Sequence, residues 1–332
     1  MSKETLITSQ MLEAIHVDLQ FVAESLREGS SAELHEMAAH HFGWHEDGRP
    51  GKGVRPLLCL LTCAAAGGDW EKAIPAATGI ELIHNFSLIH DDIEDDSDLR
   101  RHRPTIWKLW GMPQAINAGD ALFALARLSS YRLLELGHDA STVLRVQQLL
   151  DETCLDLMKG QYLDLSFDVD EARDLERYLE MIQNKTASLV AASAAVGALC
   201  AGAPNDAINA YQTFGHHLGL AFQILDDVLG TWGSEGSMGK PVGADVETRK
   251  PSYPPMYALE VSPDFGLLWR DPEASNEEVL AALDRSGAQH AAHDAAAKQT
   301  SLAFESLATA KPTEPAASAL RILANRLLVR ES

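Results

Sequence analysis

Basic residues are scarce in this chain. Among its 332 residues, 27 are Lys or Arg and 48 are Asp or Glu, so the formal net charge is −21. This excess of negative charge argues against binding to nucleic acids or anionic membranes, because their phosphates would be repelled. Long apolar runs are also absent. None reaches the roughly 18 residues of a membrane span, so we expect no stable membrane insertion.

Cysteine is rare as well, with four residues in the chain. Cys59 and Cys63 are one helical turn apart, but no second Cys pair or His set follows at the spacing of a zinc site. Together with Cys154 and Cys200 they lie in apolar segments, which predicts buried thiols in a reducing cytoplasm. The mixed polar residues 1–20 do not have the pattern of a signal peptide, in keeping with a cytoplasmic location.

Alternating β-branched runs, which are typical of strands, are few. Segments rich in Ala, Leu and Glu dominate, and their apolar residues have helical spacing, as in 144–158 and 186–199. The fold is therefore predicted to be all-α. No linker rich in Pro, Gly or Ser separates these segments, which predicts a single domain over residues 1–332.

One apolar segment runs directly into a dense block of acids at residues 91–98. On a helix, Asp91 and Asp95 are four residues apart and share a face, with Asp92 beside them. Crowded carboxylates repel one another. They are tolerated on a solvated face, or at a site where hard divalent cations neutralise them, and ligands that are all oxygens suit Mg²⁺.

A second apolar run ends in the same way, at Asp226 and Asp227. Gln223 precedes Asp227 by four residues, so both side chains can project from one face. A solvated face would explain either acidic motif alone. The repetition favours metal binding, with both motifs meeting at one site that holds several Mg²⁺ ions and one diphosphate between them.

Basic residues beside glycines and acids could neutralise such a diphosphate. Lys52 and Arg55 lie in a segment whose glycines let an anion approach the backbone, although the spacing is not that of a P-loop. Each candidate alone is more often a surface charge than a ligand. The others are Arg100 and Arg101 behind the first acidic motif, Lys185 beside Thr186, and Lys240, Arg249 and Lys250 behind the second.

Three histidines near the first basic motif could suggest another metal site. His40, His41 and His45 stand close to Gly43 and to the turn-forming residues 47–50. This setting is typical of a loop, so we expect the histidines to lie at the surface.

Taken together, the motifs resemble those of the trans-isoprenyl diphosphate synthases, the polyprenyl synthetase family. The resemblance covers about residues 45–260, with the motifs in the family's order and spacing. They read Gly51-Lys52-x-x-Arg55-Pro56, Asp91-Asp92-x-x-Asp95, Gly160-Gln161-x-x-Asp164-Leu165, Lys185-Thr186, Phe222-Gln223-x-x-Asp226-Asp227 and Gly239-Lys240-x-x-Gly243-x-Asp245.

The resemblance implies a fold and a reaction. The fold would be a bundle of antiparallel helices around a central cavity. The reaction would be the Mg²⁺-dependent, head-to-tail condensation of isopentenyl diphosphate with an allylic prenyl diphosphate. The protein would form a homodimer, to which Leu- and Ala-rich helices such as 115–136 could contribute an interface.

The resemblance also implies a role for each matching residue. The metal ligands would be Asp91, Asp92 and Asp95 at the allylic diphosphate, with Asp226 and Asp227 for a further Mg²⁺. Contacts to the allylic diphosphate would come from Arg100, Lys185 and Lys240. The diphosphate of isopentenyl diphosphate would be held by Lys52, Arg55, His84 and Arg101. Thr186 and Gln223 would line the reacting region, and Gln161 would be a further substrate contact.

Three positions depart from the family's pattern. Gly230 stands where a third Asp of the second acidic motif is common. One metal ligand or outer-shell group is thus missing, which is expected to weaken Mg²⁺ binding without abolishing activity. His102 stands where Gly is usual, and Pro251 stands where a second Lys is common, so one distal diphosphate contact is absent.

Phe86 suggests a hypothesis for product length. It lies five residues before Asp91, so on a helix it sits one turn or more below the metal, where a bulky residue in this family acts as a floor. The small Ser87 leaves more room than a second aromatic would. We therefore favour geranylgeranyl diphosphate as the product, with farnesyl diphosphate as the alternative. An ordinary core position for Phe86 fits the spacing equally well.

Two other functions use similar motifs. Terpene cyclases ionise a prenyl diphosphate without adding isopentenyl diphosphate. The presence of Lys52, Arg55, His84 and Arg101 therefore argues for elongation. A non-catalytic subunit of a heteromeric synthase typically loses aspartates, and this chain keeps all five of the acids assigned to metal binding.

Overall fold

The computed structural model describes residues 3–44, 51–167, 174–233 and 244–328. Helices dominate these residues, and the only strands among them are β1 (Leu99–Arg100) and β2 (Arg103–Pro104). The all-α prediction is therefore confirmed. Within the same ranges, no helix has the length and apolar character needed to cross a bilayer.

The helices follow one another along the whole chain. In order they are α1 (Lys3–Ala23), α2 (Glu33–Phe42), α3 (Val54–Ala65), α4 (Ile74–Glu94), α5 (Ile106–Trp110), α6 (Met112–Tyr131), α7 (Ala140–Ser166), α8 (Leu175–Ile182), α9 (Ser188–Cys200), α10 (Asn205–Trp232), α11 (Ala244–Glu247), α12 (Tyr253–Val261), α13 (Pro263–Arg270), α14 (Asn276–Ser286), α15 (Ala288–Thr309) and α16 (Ala316–Leu328).

The chain contacts define two compact units. The first unit comprises residues 1–154, 192–209 and 310–320. The second unit comprises residues 155–191, 210–309 and 321–332. The single domain expected from the sequence stays a prediction.

In the first unit, α4 packs closely against α6. A Cβ atom on Gly79 would lie 3.0 Å from the carbonyl oxygen of Ala126, so the two backbones approach each other where a side chain would not fit. Ser129 of α6 donates a hydrogen bond to the carbonyl of Pro75 in the first turn of α4, at 2.8 Å. These contacts join the first part of α4, whose C-terminal end carries the acids, to α6.

A polar contact joins α1 to the same helices. Arg132 donates to both oxygens of Asp18, at 2.7 and 3.0 Å, and Thr78 of α4 donates to Asp18 Oδ2 at 2.7 Å. A bidentate pair of this kind has a defined orientation as well as charge. It holds α1 against α4.

The four cysteines are all buried and none is in a disulfide, as predicted. Burial raises the pKa of Cys63 to about 12, so this thiol stays protonated and unreactive. Cys59 lies in α3, where its carbonyl oxygen faces Gly197 of α9. A Cβ atom on Gly197 would overlap that oxygen, so α3 and α9 pack without an intervening side chain.

The core of the second unit has two apolar clusters. One surrounds Phe167, Tyr178 and Met256, which are all buried. The other surrounds Val246, Phe265 and Trp269. The first cluster holds α8 and α10 in place, and the second anchors the short helix α11 through Val246.

Strands β1 and β2 form a small antiparallel hairpin in which Leu99 pairs with Pro104 and Arg100 with Arg103. The two residues of its turn, Arg101 and His102, have φ values of 52° and 65°. Positive φ at both central residues is the requirement of a type I′ turn and favours glycine. The glycine that the family resemblance leads one to expect at position 102 would suit this backbone, and His102 adopts it at a cost of about 1–2 kcal/mol.

The surface position expected for His40 and His41 is wrong for His41. Both residues belong to α2, which continues to Phe42, and His41 is buried at 8% exposure. The helix ends at Gly43, whose φ is 75°, so the glycine terminates a helix where the sequence pattern suggested a loop. His45 lies outside the described residues.

Replacing Gly197 with Ala should destabilise the first unit by about 1–3 kcal/mol, because the added methyl group would overlap the carbonyl of Cys59. Gly266 provides the matched control, since a Cβ atom there would meet no atom closer than 3.6 Å. Gly266→Ala should be neutral or stabilising through helix propensity. Urea denaturation followed by circular dichroism measures both. Equal stability of Gly197→Ala and wild type would contradict the close packing of α3 and α9.

Candidate active site

The first acidic motif closes α4. Asp91 and Asp92 lie in its last turn, and Asp95, which follows the helix, donates its backbone N–H to the carbonyl of Asp91 at 2.8 Å. Asp91 is half-buried and Asp95 is exposed, whereas Asp92 is only 2% exposed. The three carboxylates therefore divide into an accessible pair and one buried acid.

The buried acid has a cation of its own. Arg100 on β1 donates from Nε to Oδ1 of Asp92 at 2.7 Å. Burial raises the pKa of Asp92, and the charge and hydrogen bond of Arg100 oppose that shift. Asp92 thus holds Arg100 beside the acidic motif, while Asp91 and Asp95 stay accessible.

Arg55 and the imidazole of His84 form a second polar group in the first unit. The distance between Arg55 Nη1 and His84 Nε2 is 3.2 Å. Because a guanidinium only donates, His84 accepts at Nε2 and is neutral. Burial lowers the pKa of His84 well below its usual range, and the charges of Arg55 and Arg101 lower it further. The Nε of Arg55 is buried and has no hydrogen-bond partner in the described part of the chain, which leaves a donor for an anion.

One buried acid balances these cations. Glu81 of α4 is 6% exposed. Burial raises its pKa, and a hydrogen bond from Asn85 together with the charges of Arg55 and Arg101 opposes the shift. Asn85 donates to Glu81 Oε1 at 3.0 Å, and His41 Nε2 donates to Asn85 Oδ1 at 3.1 Å. The three side chains form a chain of hydrogen bonds that fixes the negative charge.

The first basic motif lies against the hairpin. A Cβ atom on Gly51 would be 2.9 Å from Nη2 of Arg101, so glycine lets the guanidinium approach the backbone. Burial lowers the pKa of Arg101. Lys52, the next residue, is exposed. The structure therefore brings Arg55, His84 and Arg101 together, as the sequence predicts, and leaves Lys52 at the surface of the adjoining segment.

The second acidic motif has the same division of accessibility. Asp227 is 3% exposed and Asp226 is half-buried. The carboxylate of Asp227 accepts from the Tyr178 hydroxyl, from the backbone N–H of Tyr253 at 2.9 Å and from Gln223 Nε2 at 3.1 Å. Burial raises the pKa of Asp227 to about 7, and these hydrogen bonds oppose the shift. Asp227 is thus engaged within the protein on both oxygens.

Lys185 and Thr186 lie in a π-helical turn, Gln183–Ala187, that precedes α9. The sequence pattern predicts an ordinary helix there. Lys185 donates to Asp164 at 2.5 Å, and Thr186 donates to Gln223 Oε1 at 2.9 Å. Such turns often occur at functional sites, and this one directs both side chains into polar contacts.

The motif on α7 is placed by its glycine. A Cβ atom on Gly160 would lie 2.6 Å from Cα of Lys185, so α7 and the π-turn touch through backbone. Gln161 follows on the same helix and is half-buried. Gly160 therefore sets the distance between the α7 motif and Lys185.

Lys240 lies outside the described residues, so its role stays a prediction. Among residues 3–44, 51–167, 174–233 and 244–328, no three His, Cys, Asp or Glu side chains converge as a ready metal site. Each unit has accessible carboxylates in its acidic motif, Asp91 and Asp95 in the first and Asp226 in the second.

Phe86 is buried at 6% exposure in α4. Its ring meets that of Phe123 of α6 edge-on, with centroids 5.1 Å apart, and that of His90 at 5.8 Å. Two phenylalanines, Phe86 and Phe123, are therefore candidates for limiting a growing chain. The sequence hypothesis named Phe86 alone.

Several side chains of these networks were missed from the sequence. Glu81 and Asn85 carry a signal, because a charged residue and an amide four positions apart inside an apolar helix need partners. Tyr178 carries none, because its bond to Asp227 joins residues far apart in the chain.

The polyprenyl synthetase family model matches residues 34–283. That is well over half of the chain, which therefore belongs to the polyprenyl synthetase family.

Two curated relatives have different products in their names. A (2E,6E)-farnesyl diphosphate synthase of Mycobacterium bovis is 43% identical over 227 residues, which cover 67% of this chain and 62% of the relative. The match thus spans less than two thirds of that relative's length. A geranylgeranyl diphosphate synthase of Mycobacterium tuberculosis is 37% identical over 311 residues, covering 90% of this chain and 88% of the relative.

The fold is also that of a solved relative. The crystal structure of a polyprenyl synthetase from Streptomyces coelicolor has a TM-score of 0.86 and 33% identity to this chain. The match covers 98% of this chain and 99% of the other. The helical fold described here is therefore shared with that polyprenyl synthetase.

The buried imidazole of His41 should make stability depend on pH. Burial, reinforced by the charge of Arg101, lowers its pKa from 6.5 to about 3. The folded protein resists a proton that the unfolded chain accepts, so this contribution is present above pH 6.5 and is lost as the pH falls towards 3. At about 1.4 kcal/mol per pKa unit the loss is on the order of 5 kcal/mol.

His41→Gln keeps a donor for Asn85 and removes the titrating group. The free energy of unfolding of wild type minus that of His41→Gln should therefore decline from pH 6.5 to 4. Equilibrium denaturation at each pH measures it. The exposed His290 of α15 is the control, because His290→Gln makes the same chemical change at the surface of the protein. A difference between wild type and His41→Gln that does not vary with pH would contradict the buried neutral imidazole.

Proposed function

We propose that this protein is a Mg²⁺-dependent prenyltransferase that condenses isopentenyl diphosphate head-to-tail with an allylic diphosphate. One observation carries the proposal. The first unit contains both a half-buried group of cations, Arg55 and Arg101 with neutral His84, and an accessible pair of acids, Asp91 and Asp95. Two such groups suit two diphosphates, one bound directly by cations and one bound through a metal.

The acid pair fits Mg²⁺ by its chemistry. Its donors are all oxygens, and Mg²⁺ is usually held by one or two carboxylates while waters and substrate phosphates complete the shell. Asp91 and Asp95 are a sufficient protein contribution to such a shell. The chemistry supplied by the bound metal is neutralisation of the charge that develops on the departing diphosphate.

The cation group suits the diphosphate of isopentenyl diphosphate. Planar guanidinium groups offer paired donors that match phosphate oxygens. Arg55 is oriented by His84, and its charge is balanced by Glu81. Arg100, which Asp92 holds beside the acid pair, suits the allylic diphosphate.

Polar side chains of the second unit suit positive charge that develops on a carbon atom. Thr186 and Gln223 present oxygens whose orientation is fixed by hydrogen bonds that end on Asp227. Oriented dipoles of this kind stabilise positive charge that develops on an allylic carbon. Lys185, held by Asp164, and Lys240 would contact the diphosphate that carries this carbon, and Gln161 would be a further substrate contact.

In the proposed reaction, the protein acts mainly by positioning the two substrates. The carbon–oxygen bond of the allylic substrate breaks, and its electron pair leaves with the diphosphate. The double bond of isopentenyl diphosphate attacks the allylic carbon, and a proton is lost with the released diphosphate as the base. The protein holds both substrates in reach of each other and keeps water from the cation.

Each rival function would leave one of these groups of side chains without a role. A terpene cyclase has no need for the second anion group formed by Arg55, His84 and Arg101. A non-catalytic subunit has no need for an accessible acid pair supported by a buried third acid. Elongation uses both groups, so it is the function that the site supports best.

The product is proposed to be geranylgeranyl diphosphate, with farnesyl diphosphate as the alternative. Phe86 supports a short chain because it lies in α4 below Asp91 and is braced by Phe123. The two curated relatives, one named for each product, leave both lengths within the family's range.

We propose a homodimer in the cytoplasm, as predicted from the sequence. The exposed apolar residues of α6 support self-association, since burying them on a second copy would remove them from water. They are Met112, Ile116, Leu128 and Tyr131.

The direct test incubates the protein with Mg²⁺, isopentenyl diphosphate and each of dimethylallyl, geranyl and farnesyl diphosphate. Wild type should consume isopentenyl diphosphate and release a longer prenyl diphosphate. Asp95→Asn should lower kcat about 100-fold, the scale of losing one stabilising group. Asp96→Asn is the control, because it removes the same charge from the adjacent exposed acid. No consumption of isopentenyl diphosphate with any primer would sink the proposal, and a hydrocarbon or alcohol formed from an allylic diphosphate alone would favour the cyclase.

Phe86→Ala should lengthen the product, because it removes the ring that packs against Phe123. Chromatography of the dephosphorylated products measures chain length. Phe86→Leu keeps most of the bulk and should preserve the wild-type product. An unchanged distribution in Phe86→Ala would assign Phe86 to the core alone. Circular dichroism of both variants checks that this core substitution leaves the protein folded.

A further inference from the structure

The hairpin that carries Arg101 is too small to fix its own position. Each of its strands has two residues, and both residues of its turn have positive φ. A two-stranded hairpin alone is marginally stable at best in water. Contacts with the rest of the first unit must therefore decide where the turn and its arginine lie.

Arg103 of β2 makes such a contact with the C-terminal end of α2. It donates from Nη1 to the carbonyl of His40 at 2.9 Å and from Nη2 to the carbonyl of His41 at 3.1 Å. Both carbonyls belong to the last turn of α2, where the helix dipole favours a cation. The planar guanidinium thus binds the helix end with two hydrogen bonds of fixed direction.

The end of α2 is shaped for this contact. A Cβ atom on Gly43 would overlap Nη1 of Arg103 and lie 2.9 Å from its Cζ, so glycine leaves the space that the guanidinium fills. His40 binds β2 in return, since its Nε2 donates to the carbonyl of Pro104 at 2.7 Å. Hydrogen bonds therefore run in both directions between α2 and β2.

The two strands of the hairpin have separate anchors. Arg100 of β1 pairs with Arg103 of β2, which places like charges opposite each other. Each charge has its own partner, because Arg100 donates to Asp92 whereas Arg103 donates to α2. Arg101 stands in the turn between the two strands, so its position depends on both anchors.

We propose that Arg103 is a positioning residue that docks the hairpin on the C-terminal end of α2 and thereby holds Arg101 where it can bind the diphosphate of isopentenyl diphosphate. This inference rests on the proposed function, which assigns that diphosphate to the group containing Arg101. Arg103 acts through its neighbour, because two of its own nitrogens are engaged by α2.

The first test measures binding of isopentenyl diphosphate to the full chain by titration calorimetry. Arg103→Lys keeps the charge, but an ammonium group cannot reproduce two parallel bonds of fixed direction. It should raise Kd about tenfold, the scale of weakening one charge-assisted hydrogen bond, and Arg103→Gln should raise it at least as much. Arg145→Lys is the control, because it makes the same change at an exposed arginine that donates to Asn205, and it should bind as wild type does.

A role of the charge alone gives a different pattern. If Arg103 acted only as a positive charge near the diphosphate, Arg103→Lys would bind as wild type does and only Arg103→Gln would bind more weakly. That result would overturn the inference.

The contact can also be tested from the side of α2. His40→Phe keeps the ring that meets Trp110 edge-on and removes the donor to Pro104, so it should weaken binding as well. His40→Gln, whose Nε2 can still donate, should restore the affinity. The losses from His40→Phe and Arg103→Lys should not multiply in the double variant, because both changes break one interface. Losses that multiply fully would count against the inference.

Steady-state kinetics separates positioning from a role in folding. The KM for isopentenyl diphosphate should rise about tenfold in Arg103→Lys, while kcat and the KM for the allylic substrate change far less. A role in folding alone would lower the melting temperature and the fraction of active protein, and so the apparent kcat, while Kd and KM for isopentenyl diphosphate stayed at the wild-type values. That pattern would overturn the inference. If neither Arg103 variant folds, His40→Phe provides the same comparison.

The outcome can be distinguished from that of the proposed function. A wild type that binds isopentenyl diphosphate but never consumes it would refute elongation and leave the comparison of affinities intact. A wild type that does not bind isopentenyl diphosphate would refute both.

Discussion

The burial of opposite charges beside one another is the constraint on which the site of the first unit depends. Arg55 and Arg101 are half-buried, and the buried Glu81 balances their charge, because an unpaired charge away from water is among the costliest features of a folded protein. Glu81 in turn needs a neutral support, which Asn85 and His41 provide. His84 is kept neutral between the cations and accepts from Arg55. The result is a group of donors already oriented for an anion.

The same geometrical constraint applies to both acidic motifs. Consecutive residues on a helix point in directions about 100° apart, so two adjacent aspartates cannot serve the same partner. In the first motif the second acid turns inward to Arg100, and in the second it turns inward to Tyr178, Gln223 and Tyr253. The other acids, Asp91, Asp95 and Asp226, are more exposed. An Asp-Asp pair at such a site thus combines one structural acid with one that can bind.

The sequence was sufficient for the features that depend on local pattern. Helical spacing identified an all-α chain, apolar context identified buried cysteines, and the acids at the end of α4 were found from their spacing. What the sequence did not show depends on contacts between distant residues. His41 was assigned to the surface because Gly43 suggested a loop, whereas its partner Asn85 lies on another helix. Tyr178 had no signal at all. The meeting of the two acidic motifs and the single domain stay predictions.

The π-turn at Gln183–Ala187 has a consequence for how this segment tolerates change. A π-turn contains one residue more than the α-helical hydrogen-bond pattern needs. Deleting one residue there would produce a more regular helix, yet it would rotate the preceding segment by about 100° relative to α9. Lys185 would then face away from Asp164, or Thr186 away from Gln223. The deletion would therefore make the helix more regular and at the same time disrupt a polar contact of Lys185 or Thr186.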